Sequence, residues 1–139
     1  MSARTKARKR ALDALYAASV RGGDALHLLS ETQVEVTDRQ NQEAIFDYAE
    51  MLLTGYHENA EEIDTQLRML ADNWSLERMP NIDRAILRLA AWEILHNQEV
   101  PSEVAISEAV ALAAEFSTDD SPKFINGVLA RLAKGSSAL

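Results

Sequence analysis

From Ile82 to His96 the chain reads Ile-Asp-Arg-Ala-Ile-Leu-Arg-Leu-Ala-Ala-Trp-Glu-Ile-Leu-His, and on a helix its apolar groups cover nearly every face. Ile82, Ala85, Ile86, Leu89 and Ala90 make one stripe, while Leu87, Ile94 and Leu95 lie on others. A helix that is apolar all round needs neighbours on several sides, so this segment belongs at the centre of a helical assembly. The rest of the chain can supply them. Five glycines and three prolines in 139 residues leave little turn chemistry for a many-stranded sheet, and alanine, leucine, glutamate and arginine are strong helix formers.

Helical periodicity recurs along the chain. A first helix is expected from about Thr5 to Val20, with Ala7, Ala11, Ala14, Leu15 and Ala18 on one face and a stop at Gly22-Gly23. A polar stretch near Asp24–Thr37 offers at most a short helix at Leu26–Leu29. Thr37 or Asp38 is the expected cap of a long helix to Tyr56, with Gly55 near its end. A fourth helix is expected over about Asn59–Ala71, joined through Trp74 and Met79-Pro80 to the central helix, which Asn81 caps. A sixth begins at Pro101 or Ser102. The last opens at Ser121-Pro122, with proline at the first helical position, and runs to Lys134-Gly135. The expectation is an all-α fold of about seven helices forming one domain over residues 1–139.

The chain has no cysteine, so disulfides and thiol chemistry are excluded. His27, His57 and His96 share no metal-ligand spacing, and neither a glycine-rich phosphate loop nor a Gly-x-Ser-x-Gly elbow is present. No active site, metal or cofactor is expected. The first twenty residues lack the apolar core of a secretory signal, and no apolar run approaches the roughly 18 residues of a membrane span, so a cytoplasmic location is expected.

The net charge of −8 is unevenly spread. Residues 1–21 hold Arg4, Lys6, Arg8, Lys9, Arg10 and Arg21 against Asp13 alone, a balance of +5 that leaves −13 on the remaining 118 residues. Cations at a helix start oppose the helix dipole, so no gain in folding stability is expected from that arrangement. They make sense if an external anion supplies the negative charge, because the free N–H groups of a helix start also bind phosphate. A basic arm on an acidic body is the footprint of a polyanion-binding protein.

Three further features stand out. Tyr16, two turns beyond Arg10, suits an interface or a half-buried core position. Asp120, Lys123, Phe124 and Asn126 at the start of the last helix offer a phosphate contact, a stacking face and a base-edge hydrogen-bonding group, or else a cap and a core phenylalanine. Gly127 inside that helix points to a close backbone approach, because glycine there costs about 1 kcal/mol relative to alanine. In the central helix Glu93 falls on the apolar stripe and calls for a partner, either Arg88 or another arginine. Asp83 and Arg84, near that helix's start, suit a protein–protein surface.

Several blocks together resemble the NusB family of bacterial antitermination factors. They are Ala3-Arg4…Ala7-Arg8…Ala11-Leu12…Ala14-Leu15-Tyr16, then Trp74…Arg78-Met79-Pro80…Asp83-Arg84-Ala85-Ile86-Leu87-Arg88-Leu89-Ala90…Trp92-Glu93, then Val100-Pro101…Val104-Ala105-Ile106…Glu108-Ala109-Val110…Leu112-Ala113, and finally Phe116…Asp120-Ser121…Lys123-Phe124-Ile125-Asn126-Gly127-Val128-Leu129. The blocks come in family order and cover nearly the whole chain, apart from about Asp24–Gln42.

The resemblance implies a compact fold of two packed helical subdomains. It implies binding of single-stranded boxA RNA from ribosomal RNA operons together with NusE, a small-subunit ribosomal protein, within an RNA polymerase antitermination complex. On this reading Arg4, Lys6, Arg8, Lys9 and Arg10 contact RNA, Asp120, Lys123, Phe124 and Asn126 border it, and Tyr16, Asp83 and Arg84 face NusE. The family's run of consecutive arginines is interrupted here by Thr5 and Lys6, and lysine lacks the planar fork that grips phosphate at two points. Some members self-associate, so a homodimer remains an option. The related methyltransferase fusions would need an α/β domain in addition, and a helix-turn-helix repressor would carry its cations on a later helix.

Overall fold

The computed structural model describes residues 2–35, 42–71 and 75–137. Among these every regular element is helical: α1 (Ala3–Arg21), α2 (Ala25–Glu35), α3 (Gln42–Glu58), α4 (Ala60–Leu70), a single 3-10 turn (Leu76–Arg78), α5 (Asn81–His96), α6 (Ser102–Phe116) and α7 (Ser121–Ser137). The seven expected helices are all present. Thr37, Asp38 and Trp74 lie outside the described residues.

Local chemistry moves some boundaries. Ser2 Oγ accepts from the Thr5 N–H at 3.1 Å and starts α1 two residues before Thr5. At its other end the Gly22 N–H reaches the Ala18 carbonyl at 2.9 Å, and Gly22 and Gly23 take φ of 80° and 105°, a region closed to most side chains. The second helix is longer than Leu26–Leu29. Asp24 Oδ1 accepts from the Leu26 N–H, and buried Ala25 and Leu29 dock the segment on the body, so eleven residues become helical despite a weak apolar pattern. Asn81 is the first residue of α5 rather than its cap, and its side-chain oxygen accepts from Arg84.

The helix expected at the centre is there. α5 packs against α1, α3, α4, α6 and α7, with Leu87 and Ala91 fully enclosed and Ile86 nearly so. Helices α1, α2 and α3 form one mutually packed group; α4, α6 and α7 gather with α5 into a second, and α5 joins the two. Small residues set the spacing: Ala7 and Ala11 on α1 are completely buried and let α3 and α5 approach closely.

Gly55 plays a similar part on α3. It does not end the helix, which continues to Glu58; a Cβ there would fall among the indole atoms of Trp92. Only a glycine lets α3 and α5 meet at this point.

Candidate nucleic-acid interface

The first three turns of α1 carry the cations around the helix rather than along one edge. Arg4, its side chain 44% exposed, reaches Glu99 at 3.1 Å and lies 5.0 Å over the ring of Tyr48. Lys6 is exposed. Lys9 Nζ contacts both carboxylate oxygens of Asp13 at 2.7 Å and sits 4.5 Å from the ring centre of Phe116, while Arg10 stands 5.6 Å over Phe46. Most of these contacts are with exposed groups or aromatic faces, which a phosphate can displace at low cost.

Arg8 is different. Its Nε and Nη2 each donate to one oxygen of Glu93 at 2.9 Å, and Nη1 lies 3.3 Å from Glu108, with the arginine side chain only 6% exposed. Burial would lower its pKa, but hydrogen bonding and charge from Glu93 outweigh that and raise it. Tyr48 completes the cluster, donating its hydroxyl to Glu93 at 2.5 Å and accepting from Asn97 at 3.0 Å. Burial and the Glu93 carboxylate push the Tyr48 phenol well above its ordinary value.

Arg88, the one arginine named in sequence as a partner for Glu93, holds Asp64 of α4 instead through two 3.0 Å bonds, and Tyr56 donates to the same carboxylate.

An open cleft of about 580 Å³ lies between the start of α1 and the last turns of α6, lined by Thr5, Lys6, Arg10, Gln42, Glu108 and Phe116 among others. Phe116 ends α6. The turn after it leads directly into α7, and on the α1 side Lys9 lies against its ring. On the α7 side Asp120, Lys123 and Asn126 are exposed and Phe124 is half-buried beside a hollow of about 210 Å³ shared with Met79, Pro80 and Asp83.

That turn is held from below. Ser117 and Ser121 donate their hydroxyls to the two oxygens of Asp83 at 2.5 and 2.8 Å, and Thr118 Oγ1 lies 2.8 Å from Ser121 Oγ. With the Ser121 proton committed to Asp83, the Thr118 hydroxyl is the donor of that last bond.

The comparisons with known proteins agree with one another. The NusB family model matches residues 5–134. The chain is 50% identical over 133 residues to the transcription antitermination protein NusB of Clavibacter sepedonicus, covering 96% of this chain and 97% of that one. The chain belongs to the NusB family. The T. maritima NusB structure superposes with a TM-score of 0.82 at 33% identity, covering 98% of this chain and 97% of the other. A crystal structure of antitermination factors NusB and NusE in complex with dsRNA gives 0.83 at 25% identity, covering 97% and 98%.

Placed on this NusB-family framework, the sequence-derived sites divide. Arg4, Lys6, Lys9 and Arg10 are at or near the surface, as are Asp120, Lys123, Asn126 and Tyr16. Arg8 is not available for RNA contact, because its guanidinium is buried and occupied by Glu93 and Glu108. Asp83 is not a partner surface: it is 4% exposed and satisfied by two serines. Arg84 is half-buried, donating to the Leu76 carbonyl at 3.0 Å and to Asn81, so it fastens the 3-10 turn to α5. Gly127 makes no close approach within the described residues, where a Cβ would meet open space.

Phe116 and Glu108 escaped the sequence reading as site residues. No periodicity reveals that the end of α6 leans over α1, and the only available signal was a large aromatic at a helix end beside a polar turn.

Proposed function

We propose that this chain is a transcription antitermination factor that binds RNA jointly with NusE and supports processive ribosomal RNA transcription by RNA polymerase. It works by binding rather than by chemistry, as one unit over residues 1–139, in the cytoplasm where transcription takes place. The observation that carries this reading is the ring of exposed and half-exposed cations on the first turns of α1, with Lys9 against Phe116 at the end of α6, on an otherwise acidic chain.

Arg4, Lys6, Lys9 and Arg10 capture phosphates, giving affinity without sequence preference. Asp120, Lys123, Phe124 and Asn126 supply preference through hydrogen bonds and stacking. Arg8 acts from inside by fixing α1 on α5 and α6, and Asp83 likewise by fixing the turn before α7. Tyr16, 38% exposed on α1, offers a contact for NusE, and the half-buried Arg84 of α5 a second one. Two proteins sharing one RNA form a composite site whose affinity exceeds that of either alone. The resolved complex of relatives NusB and NusE with dsRNA supports such an assembly.

The test is binding to a single strand bearing boxA, to its scrambled counterpart and to a duplex, with and without NusE. Tighter binding to boxA that NusE strengthens further is expected. Equal affinity for boxA and scrambled RNA in the presence of NusE overturns the boxA reading, and failure to form a complex with NusE overturns the partner.

A further inference from the structure

We infer that the cleft between α1 and the end of α6 receives one unpaired base of the bound RNA, stacked on Phe116, and that it favours a base bearing an exocyclic amino group. The inference rests on the RNA-binding reading and adds to it a site separate from Phe124.

The cleft volume of about 580 Å³ falls within the range of small-ligand sites, roughly 300–1,000 Å³. Phe116 is 37% exposed, an aromatic surface left open beside charged groups. One face of its ring already accepts a cation, the Lys9 ammonium at 4.5 Å, which marks that face as reachable from the side where α1 carries its charges. Asp13 holds Lys9 there, and a strand phosphate competes with that carboxylate for the ammonium, clearing the ring for a base.

All the cations at the opening belong to α1, where Asp13 is the one carboxylate among them. Lys6 and Arg10 stand on the α1 side, where flanking phosphates would pass, whereas Glu108 and Glu115 line the α6 side. Gln42 Oε1, also at the cleft, is buried with no hydrogen-bond donor among the described residues. An orphaned acceptor costs free energy until a donor reaches it. Carboxylates and amide oxygens accept from exocyclic amino groups, so cytosine, adenine and guanine suit this lining better than uracil, whose one base donor is its ring N3–H between two carbonyls.

The experiment uses the full chain and a boxA single strand carrying 2-aminopurine at successive positions. One position should be quenched on binding. Phe116→Leu keeps an apolar side chain but removes the stacking face; it should abolish that quenching and weaken binding about tenfold. The salt dependence should be unchanged, because no phosphate contact is lost. Ala111→Trp fills the cleft from an exposed position on α6, leaves Phe116 in place and carries the same expectation. Uridine at the quenched position should bind several-fold more weakly than cytidine. If the chain binds RNA and both variants keep the quenching and the affinity, the cleft is not a base site. Equal binding of uridine and cytidine overturns the amino preference, and loss of quenching in Phe124→Leu instead places the base in the other hollow. If the unaltered chain binds no RNA even at low salt, the RNA-binding reading itself fails.

Discussion

Arg8 and Glu93, 85 positions apart in the chain, meet through two parallel 2.9 Å hydrogen bonds with their side chains 6% and 2% exposed. Taking two charges out of water costs several kcal/mol per ion, and two-point geometry with further hydrogen bonds is what offsets it. Tyr48 and Glu108 supply those further bonds and contacts. The pair therefore locks α1 to α5 directly beneath the cations that face outward.

Removing one partner leaves the other charge buried alone. Arg8→Ala is expected to lose about 3–5 kcal/mol of stability, visible as a large fall in Tm by circular dichroism. The double replacement Arg8→Met with Glu93→Leu should recover most of that loss. A Tm unchanged in Arg8→Ala would show that the pair contributes nothing.

Gly55→Ala tests the contact between α3 and α5. The added methyl meets the Trp92 indole, so a destabilisation of about 1–3 kcal/mol is expected, although alanine is the better helix former. Gly127→Ala is the control, because the same change in open space should stabilise the free chain by up to about 1 kcal/mol. Denaturant midpoints of the two variants should move in opposite directions.

Glu99 competes with phosphate for Arg4. This exposed pair is worth only about 0.2–1 kcal/mol. Glu99→Gln should therefore strengthen RNA binding a few-fold at low salt, with the gain fading as salt rises, in an anisotropy titration. Weaker binding of the variant would place Glu99 in the interface itself.

Alkaline stability follows from the buried phenols. Burial first, then Glu93, raises the pKa of Tyr48, and burial raises that of Tyr56 despite the opposing charge of Arg88. Below the unfolded tyrosine pKa of about 10 both states keep the proton and the contribution is fully present. As pH rises above it the unfolded state ionises while the folded state resists, so stability falls. Denaturant unfolding from pH 9 upward should show this decline, and Tyr48→Phe should make it shallower.

The seven helices were readable because periodicity and end signals reported the same thing: an all-round apolar segment at Ile82–His96, a double glycine after α1, and a serine–proline start for α7. The basic character of α1 was equally plain. Rotation about the helix axis decided which cations face out. The helical wheel of α1 suggested a spread but could not show that Arg8 alone turns toward Glu93, a residue recognised as needing an arginine, with Arg88 the only one named. Asp83 looked like a surface group because it lies near a helix start, and only the return of the chain through Ser117 and Ser121 buries it. Phe116 was overlooked for the same reason. Its neighbours come from α1, more than a hundred positions earlier, and no local pattern records that meeting.

The central claim is that the outward cations of α1 hold RNA by its phosphates. The most direct measurement is RNA affinity across a salt series for the unaltered chain and for the Arg4→Gln, Lys6→Gln double variant, both positions being exposed. Each lost phosphate contact on a single strand should reduce the slope of log affinity against log salt by about 0.7, so the pair should lower it by about 1.4, with weaker binding at low salt and an unchanged Tm. An unaltered slope and affinity in the double variant would contradict the account.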